Sequence, residues 1–284
     1  MQIGEYTLRN VRHGTFFQDA VMARRVPFAM LQGDPTVDEK GREVLGANSL
    51  LISRDGKHTL VFASMGSLHP SRGQQIYHGL KTPGGEPGPN KIVELPEALL
   101  PLGLTPDDIS TVVMTHLEYD HAAGLLDAEM RPYCQNARHI VRGGELCYGM
   151  EKDPFRHFYP RQVLEALSAL GDRQLAITSH DFEYLLHEGK YLTHDDISLR
   201  VTGGHTPYHQ VVIGPGFMHL GDLMHDEHVL GAEQFNVYAR NMDVAARAKA
   251  DLLDRIVEEN SVVFFNHGNV HHAGRIRHPH RWRL

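Results

Sequence analysis

The 284-residue sequence has two cysteines, Cys134 and Cys147, and a single tryptophan. Two cysteines cannot staple a chain this long, and their spacing fits neither a redox pair nor a metal knuckle. They read as ordinary buried or half-buried thiols. No apolar run approaches the roughly 20 residues a membrane span needs. The opening residues lack the basic and apolar regions of a secretory leader, so a cytoplasmic location is expected. The formal charge is −7 with both signs mixed along the chain, and no basic stripe carries interleaved aromatics. Neither nucleic acid nor a membrane is therefore an expected partner. With 41% hydrophobic and 22% charged residues, disorder and collagen-like repeats are excluded as well.

Histidine is what the sequence has in excess, at 21 residues. It is the commonest metal ligand and the usual proton carrier near neutral pH. Number alone does not make a site. His271, His272, His278 and His280 lie among arginines near the C-terminus and read as a solvated or loosely packed end.

The length suits one large α/β domain over residues 1–284. Strands are expected at 7–17, at 48–53 and 58–63 as a hairpin closed by Asp55-Gly56, and at 111–115. Further strands are expected at 197–201, 210–213, 217–220 and 261–265, with helices at 93–102 and 244–259. Residues 66–90 are rich in glycine and proline and read as a variable loop, in which Ser67, His69, Arg72 and Lys81 suit an anionic or carbonyl group. Residues 143–189 read as a helical, aromatic insertion with Tyr148, Phe155, Phe158, Tyr159, Phe182 and Tyr184, and 155–170 is its clearest helix. Two layers of strands with helices outside each accommodate this order most simply.

The chemistry-bearing run is His116, Glu118, Asp120 and His121, at the end of an apolar strand and ahead of Ala122-Ala123-Gly124. A strand ending in a turn into a helix aims alternate side chains at one point, and small residues afterwards let the helix start pack closely. Three more ligand candidates recur at strand ends beside glycine: His205, Asp222 and His267.

This pattern resembles the metallo-β-lactamase superfamily, whose motifs run from a strand-end Asp through H-x-H-x-D-H to a His, a bridging Asp and a final His. The resemblance covers roughly residues 45–270, and the spacing and the His121-Ala-Ala-Gly-Leu125 run are most similar to the quorum-quenching lactonases. It implies an αββα sandwich with two divalent ions, zinc first and iron or manganese as alternatives. By position, His116, Glu118 and His205 would hold one ion, Asp120, His121 and His267 the other, and Asp222 would bridge them. It further implies hydrolysis of a small lactone, ester or related acyl bond by a hydroxide bridging the metals, with Asp120 or Asp222 moving the proton. A small-molecule substrate and a homodimer are compatible with it.

Three departures qualify the resemblance. Glu118 stands where the family has its middle histidine, and a third carboxylate leaves two divalent ions about one net positive charge by counting. That favours iron or manganese relative to zinc, and H-x-E-x-D is shared with diiron members of the fold. An oxygen-activating or oxygen-reducing diiron protein is thus the alternative function, and a metal-keeping sensor without turnover is a third. Second, Ser64 lies where a strand-end Asp would orient a metal-bound histidine. Third, His225 occupies the place of a lactonase tyrosine, so the acid or oxyanion role falls to His225 or Tyr208.

Overall fold

Asp55 and Gly56 both hold positive φ, at 53° and 72°, as a type I′ turn requires, and they fold the chain back between Arg54 and Lys57 into the expected hairpin. The computed structural model describes residues 1–20, 29, 32, 37–66, 91–151, 158–172, 174–178, 196–226 and 239–277. In it this hairpin lies in the middle of the first of two sheets. That sheet places β1 (Gln2–Ile3), β2 (Tyr6–Asp19), β3 (Arg42–Arg54), β4 (Lys57–Val61), β6 (Ile109–Val113), β7 (Arg138–Arg142) and β8 (Leu175–Thr178) side by side in that order. A short β5 (Lys91–Ile92) pairs with β2. The first four strands are antiparallel, and β4, β6, β7 and β8 run parallel.

The second sheet has the order β13 (Ala273–Arg275), β12 (Val262–Phe264), β11 (Phe217–His219), β10 (Gln210–Gly214) and β9 (Ser198–Val201). Successive strand residues point to opposite faces, and the burial follows that period. Val212, Phe217, Val262 and Phe264 share a core with Leu8, Leu50, Leu60 and Val113 of the first sheet. Their neighbours Val211, Ile213, Met218 and Val263 turn the other way, onto Ala245, Leu252, Leu253 and Ile256 of the helix Met242–Glu258. The helices Leu95–Leu99, Gly143–Met150 and Arg161–Ser168 bring Leu95, Leu99, Leu146, Val163, Leu164 and Leu167 to the other side of the core. The result is the αββα sandwich expected from the order of elements. Among the described residues no helix is long and apolar enough to cross a membrane.

Local chemistry explains where the element boundaries differ from expectation. The helix expected at 93–102 divides into Leu95–Leu99 and a 3-10 turn Leu100–Leu102, because Pro101 has no N–H to continue the ladder. The helix expected at 155–170 is Arg161–Ser168, entered through Pro160. Strands β1, β5, β7, β8 and β13 were not expected, and β8 falls inside the stretch 143–189 that reads as helical; His271 and His272 just before β13 are exposed, as a solvated end should be. Residues 67–90, with Ser67, His69, Arg72 and Lys81, lie outside the described residues. So do Phe155, Phe182, Tyr184, His278 and His280.

Candidate metal centre

The ends of β6, β9, β11 and β12 deliver the candidate ligands to one place. After β6 come His116 and Glu118. Glu118 stands at the N-cap position of the short helix Tyr119–Ala122, which presents Asp120 and His121, and the Glu118 side chain turns to the centre instead of the helix. Gly124 lets this turn sit against the neighbouring strand end: a Cβ there would lie 2.1 Å from the Ala63 carbonyl oxygen. His205 follows Gly203 and Gly204, both at positive φ, and a side chain on Gly204 would collide with Ala245 at 2.6 Å. Asp222 follows β11 through Gly221, which is wedged against the His209 ring. His267 follows β12 on a loop held by β3, with Gly46 N donating to His267 O at 2.9 Å and Asn48 N to Asn266 O at 3.0 Å.

Two groups of donor atoms result, one of His116, Glu118, His205 and Asp222 and the other of Asp120, His121, Asp222 and His267, each with its atoms within 4.8 Å of one another. In the first, Glu118 Oε2 lies 2.8 Å from His205 Nε2 and 3.6 Å from His116 Nε2, and Asp222 Oδ2 lies 3.4 Å from His205 Nε2. In the second, Asp120 Oδ2 lies 3.5 Å from His121 Nε2 and 3.2 Å from His267 Nε2. Asp222 Oδ1 lies 3.2 Å and 3.5 Å from the same two nitrogens. The two oxygens of Asp222 thus face different groups. Ligands bound tetrahedrally at 2.0–2.1 Å are separated by ~3.3 Å, close to most of these spacings. His116 Nε2, buried and aimed into the first group, has no hydrogen-bond partner. The residues present fit two divalent cations.

The electrostatics suit cations too. Burial would raise the Asp222 carboxyl, but His121, His205 and His267 outweigh it and hold it well below the usual range. Asp120 is likewise lowered against its burial, by His121 and His267. Burial drives His116 well below the ordinary imidazole value, aided by His121 and His205. It would do the same to His121, but Asp120 and Asp222 win and hold that ring well above it.

A second set of contacts orients this one, and sequence reasoning missed most of it. Thr115 Oγ1 lies 3.0 Å from His116 Nδ1, and the Gly46 carbonyl lies 3.1 Å from His267 Nδ1. Each bond turns the other ring nitrogen to the centre. Asp222 N donates to His209 Nε2 at 3.2 Å. Glu145 accepts from Leu117 N, from Tyr159 Oη at 2.8 Å and from Thr206 Oγ1 at 2.7 Å, tying together the loops that carry His116 and His205. Arg240 pairs with Glu118 Oε1. Strand-end position gave His116, His205, Asp222 and His267 away, but nothing local marks Glu145 or Arg240. Ser64 does not orient a histidine: its Oγ is buried without a hydrogen-bond partner.

His225 is buried beside the centre, its ring 5.8 Å from that of His267 and its carbonyl accepting from His267 N. Tyr208 is half-buried, with its ring lying over Gly144. Tyr159 belongs to the core, and Phe158 is half-buried, 5.5 Å from the Arg240 guanidinium.

Known structures share the fold. A probable metal-dependent hydrolase from Staphylococcus aureus is 21% identical, with 97% of this chain and 94% of that one covered and a TM-score of 0.77. AidC, a dizinc quorum-quenching lactonase in complex with a product, is 17% identical over 98% of this chain and 94% of its own, at a TM-score of 0.75. A variant of AiiA from B. thuringiensis with N-decanoyl-L-homoserine bound is 19% identical over 92% and 93%, at a TM-score of 0.65. Among curated protein sequences none matches. The family model of the metallo-beta-lactamase superfamily matches residues 42–267. Because that match begins at the first residue of β3 and ends at His267, it takes in both donor groups, and the chain belongs to the metallo-beta-lactamase superfamily.

Proposed function

We propose that the chain is a dinuclear metal-dependent hydrolase of a small lactone, ester or related acyl substrate. His116, Glu118 and His205 hold one ion, Asp120, His121 and His267 hold the other, and Asp222 is shared. The observation that carries this reading is the opposed aim of the two Asp222 oxygens, Oδ2 toward His205 and Oδ1 toward His121 and His267. Two bound divalent ions supply polarisation of the substrate oxygen and a water nucleophile at neutral pH. Zinc is the first choice, and the harder carboxylate of Glu118 moves the preference toward iron or manganese.

The protein's own groups do the rest. The Asp120 side chain is 25% exposed against 5% for Asp222, so Asp120 is the carboxylate that a substrate and a transferred proton reach. Tyr208, three residues after His205 and half-buried, stands nearer to solvent than the buried His225 and is the better donor toward a carbonyl oxygen. Phe158 offers an apolar surface on the Glu118 side, as a pocket for a small organic molecule requires.

A screen of metal-loaded protein against lactones, aryl esters and phosphodiesters tests this. Hydrolysis of lactones or esters is expected; cleavage of phosphodiesters with no lactone or ester turned over would overturn the reading. Glu118 favours one second reading, a diiron protein acting on dioxygen. Elemental analysis of fresh protein separates the two, since about two irons with an air-sensitive absorption spectrum would select the diiron reading.

A further inference from the structure

Glu118 divides its two oxygens between different tasks. Oε2 faces His205 and His116 at 2.8 and 3.6 Å, inside the first donor group. Oε1 points away from them and pairs with Arg240. That arginine is set in place from several sides. Its own N–H donates to the His205 carbonyl at 2.9 Å, and the next residue, Asn241, donates to the Gly204 carbonyl at 2.8 Å. Asn241 also caps the long helix by accepting from Val244 N at 3.1 Å. The guanidinium lies 5.5 Å from the Phe158 ring, and only 8% of the side chain is exposed. The segment that fixes Arg240 is thus the one that carries His205.

We propose that Arg240 is a positioning residue for the first cation group, holding Glu118 Oε1 so that Glu118 offers a metal one oxygen only. The inference rests on the two-cation reading above. Two consequences follow from the geometry. With Oε1 turned to the guanidinium, Glu118 is set to meet a cation through Oε2, the oxygen that faces His205 and His116. The charge is also offset. Glu118, Asp120 and Asp222 leave two divalent ions about one net positive charge by counting, and Arg240 returns it to about two. Arg240 thereby gives Glu118 the net charge of a neutral imidazole at that place.

The test is a double-mutant cycle on cobalt(II) binding, measured by competition with a chromophoric chelator and by the visible absorption of the bound cobalt. Wild type should take up about two ions per chain. Arg240→Met should weaken one of the two, by roughly 10- to 100-fold, and change the cobalt absorption, as loss of an outer partner does. In a Glu118→His background the same Arg240→Met change should leave affinity unaltered or raise it, because the guanidinium then faces no carboxylate. Arg240→Lys, which keeps the charge but not the fork, should fall between, and it carries the test if Arg240→Met does not fold. Equal weakening by the Arg240 substitution in both backgrounds would mean a general structural role and overturn the proposal, as would wild-type affinity for both ions in Arg240→Met. A wild-type protein that takes up no cobalt would instead sink the two-cation reading itself, and this inference with it.

Discussion

Asn266 Nδ2 donates to Asp222 Oδ1 at 2.5 Å across 44 residues of chain. The residue before His267 therefore fixes the carboxylate that both donor groups share, so the ends of β11 and β12 are set as one unit. Asp222→Ala should lose both metal ions, because one side chain serves two. Asn266→Ala should keep the fold and weaken binding by roughly 10- to 100-fold, the usual effect of removing a partner of a ligand. Metal content after dialysis against a graded series of chelator concentrations checks both, and full metal retention in Asp222→Ala would remove Asp222 from the site.

Two buried histidines away from the centre predict acid sensitivity. Burial pushes both His13, whose Nε2 lies 2.9 Å from Ser49 Oγ, and His139 of β7 down to about 4 from an ordinary 6.5. Between pH 6.5 and 4 the unfolded chain takes up these protons and the folded one does not. The stability they allow is therefore present above 6.5 and lost as pH falls through the folded value, at up to about 1.4 kcal/mol per pH unit for each ring. His13→Gln with His139→Leu should flatten that slope relative to wild type in urea unfolding at pH 6.5, 5.5 and 4.5. Parallel slopes in the two proteins would refute it.

The two thiols should behave differently. Against the expectation of two buried or half-buried thiols, Cys147 is exposed, whereas Cys134 is buried and its thiol is pushed up to about 12 by desolvation, with Asp107 adding to the effect. A thiolate is what reacts with a disulfide reagent. Titration of native protein with Ellman's reagent should show one rapid thiol, with the second appearing only in denaturant. Cys147→Ser should abolish the rapid phase.

Much of this architecture was legible because strands have a period of two and end in recognisable turns. Asp55-Gly56 announced its hairpin, and His205, Asp222 and His267 stood out as polar residues beside glycine after apolar runs. Partners set by tertiary approach were not legible. Arg240 meets Glu118 across 122 residues, and Asn48 Nδ2 meets the Gly268 carbonyl across 220, so no local window holds both members of either pair. Thr115 was hidden for another reason: as the last polar residue before His116 it reads as strand, and only its side-chain bond to the neighbouring ring reveals a role. Ser64 stands where the resemblance has an Asp beside a histidine, and its buried hydroxyl meets none.

Gly46 offers a way to disturb one donor group through packing alone. It lies in β3, where its N–H donates to the His267 carbonyl at 2.9 Å and its own carbonyl lies 3.1 Å from His267 Nδ1. A Cβ at this position would come within 2.4 Å of the Gly268 carbonyl oxygen and 2.6 Å of Asn48 Nδ2. Neither is the free end of a flexible chain: the first is backbone, and the second is bonded to the Asn266 and Gly268 carbonyls. Gly46→Ala must therefore push the 266–268 loop away from β3 and swing His267 with it. His116, Glu118 and His205 touch neither residue 46 nor this loop in the contacts that hold them, and only Asp222, through Asn266, links the first group to it, so the first group should be the less disturbed. The expected outcome is a folded protein that keeps about one metal ion, with the second bound roughly 10- to 100-fold more weakly. Calorimetric titration of the demetallated variant should resolve this as one tight and one weak step. Two unchanged tight steps would show that His267 is not a ligand or that the loop yields without moving it, and a histidine-selective NMR spectrum of the same sample would tell these apart.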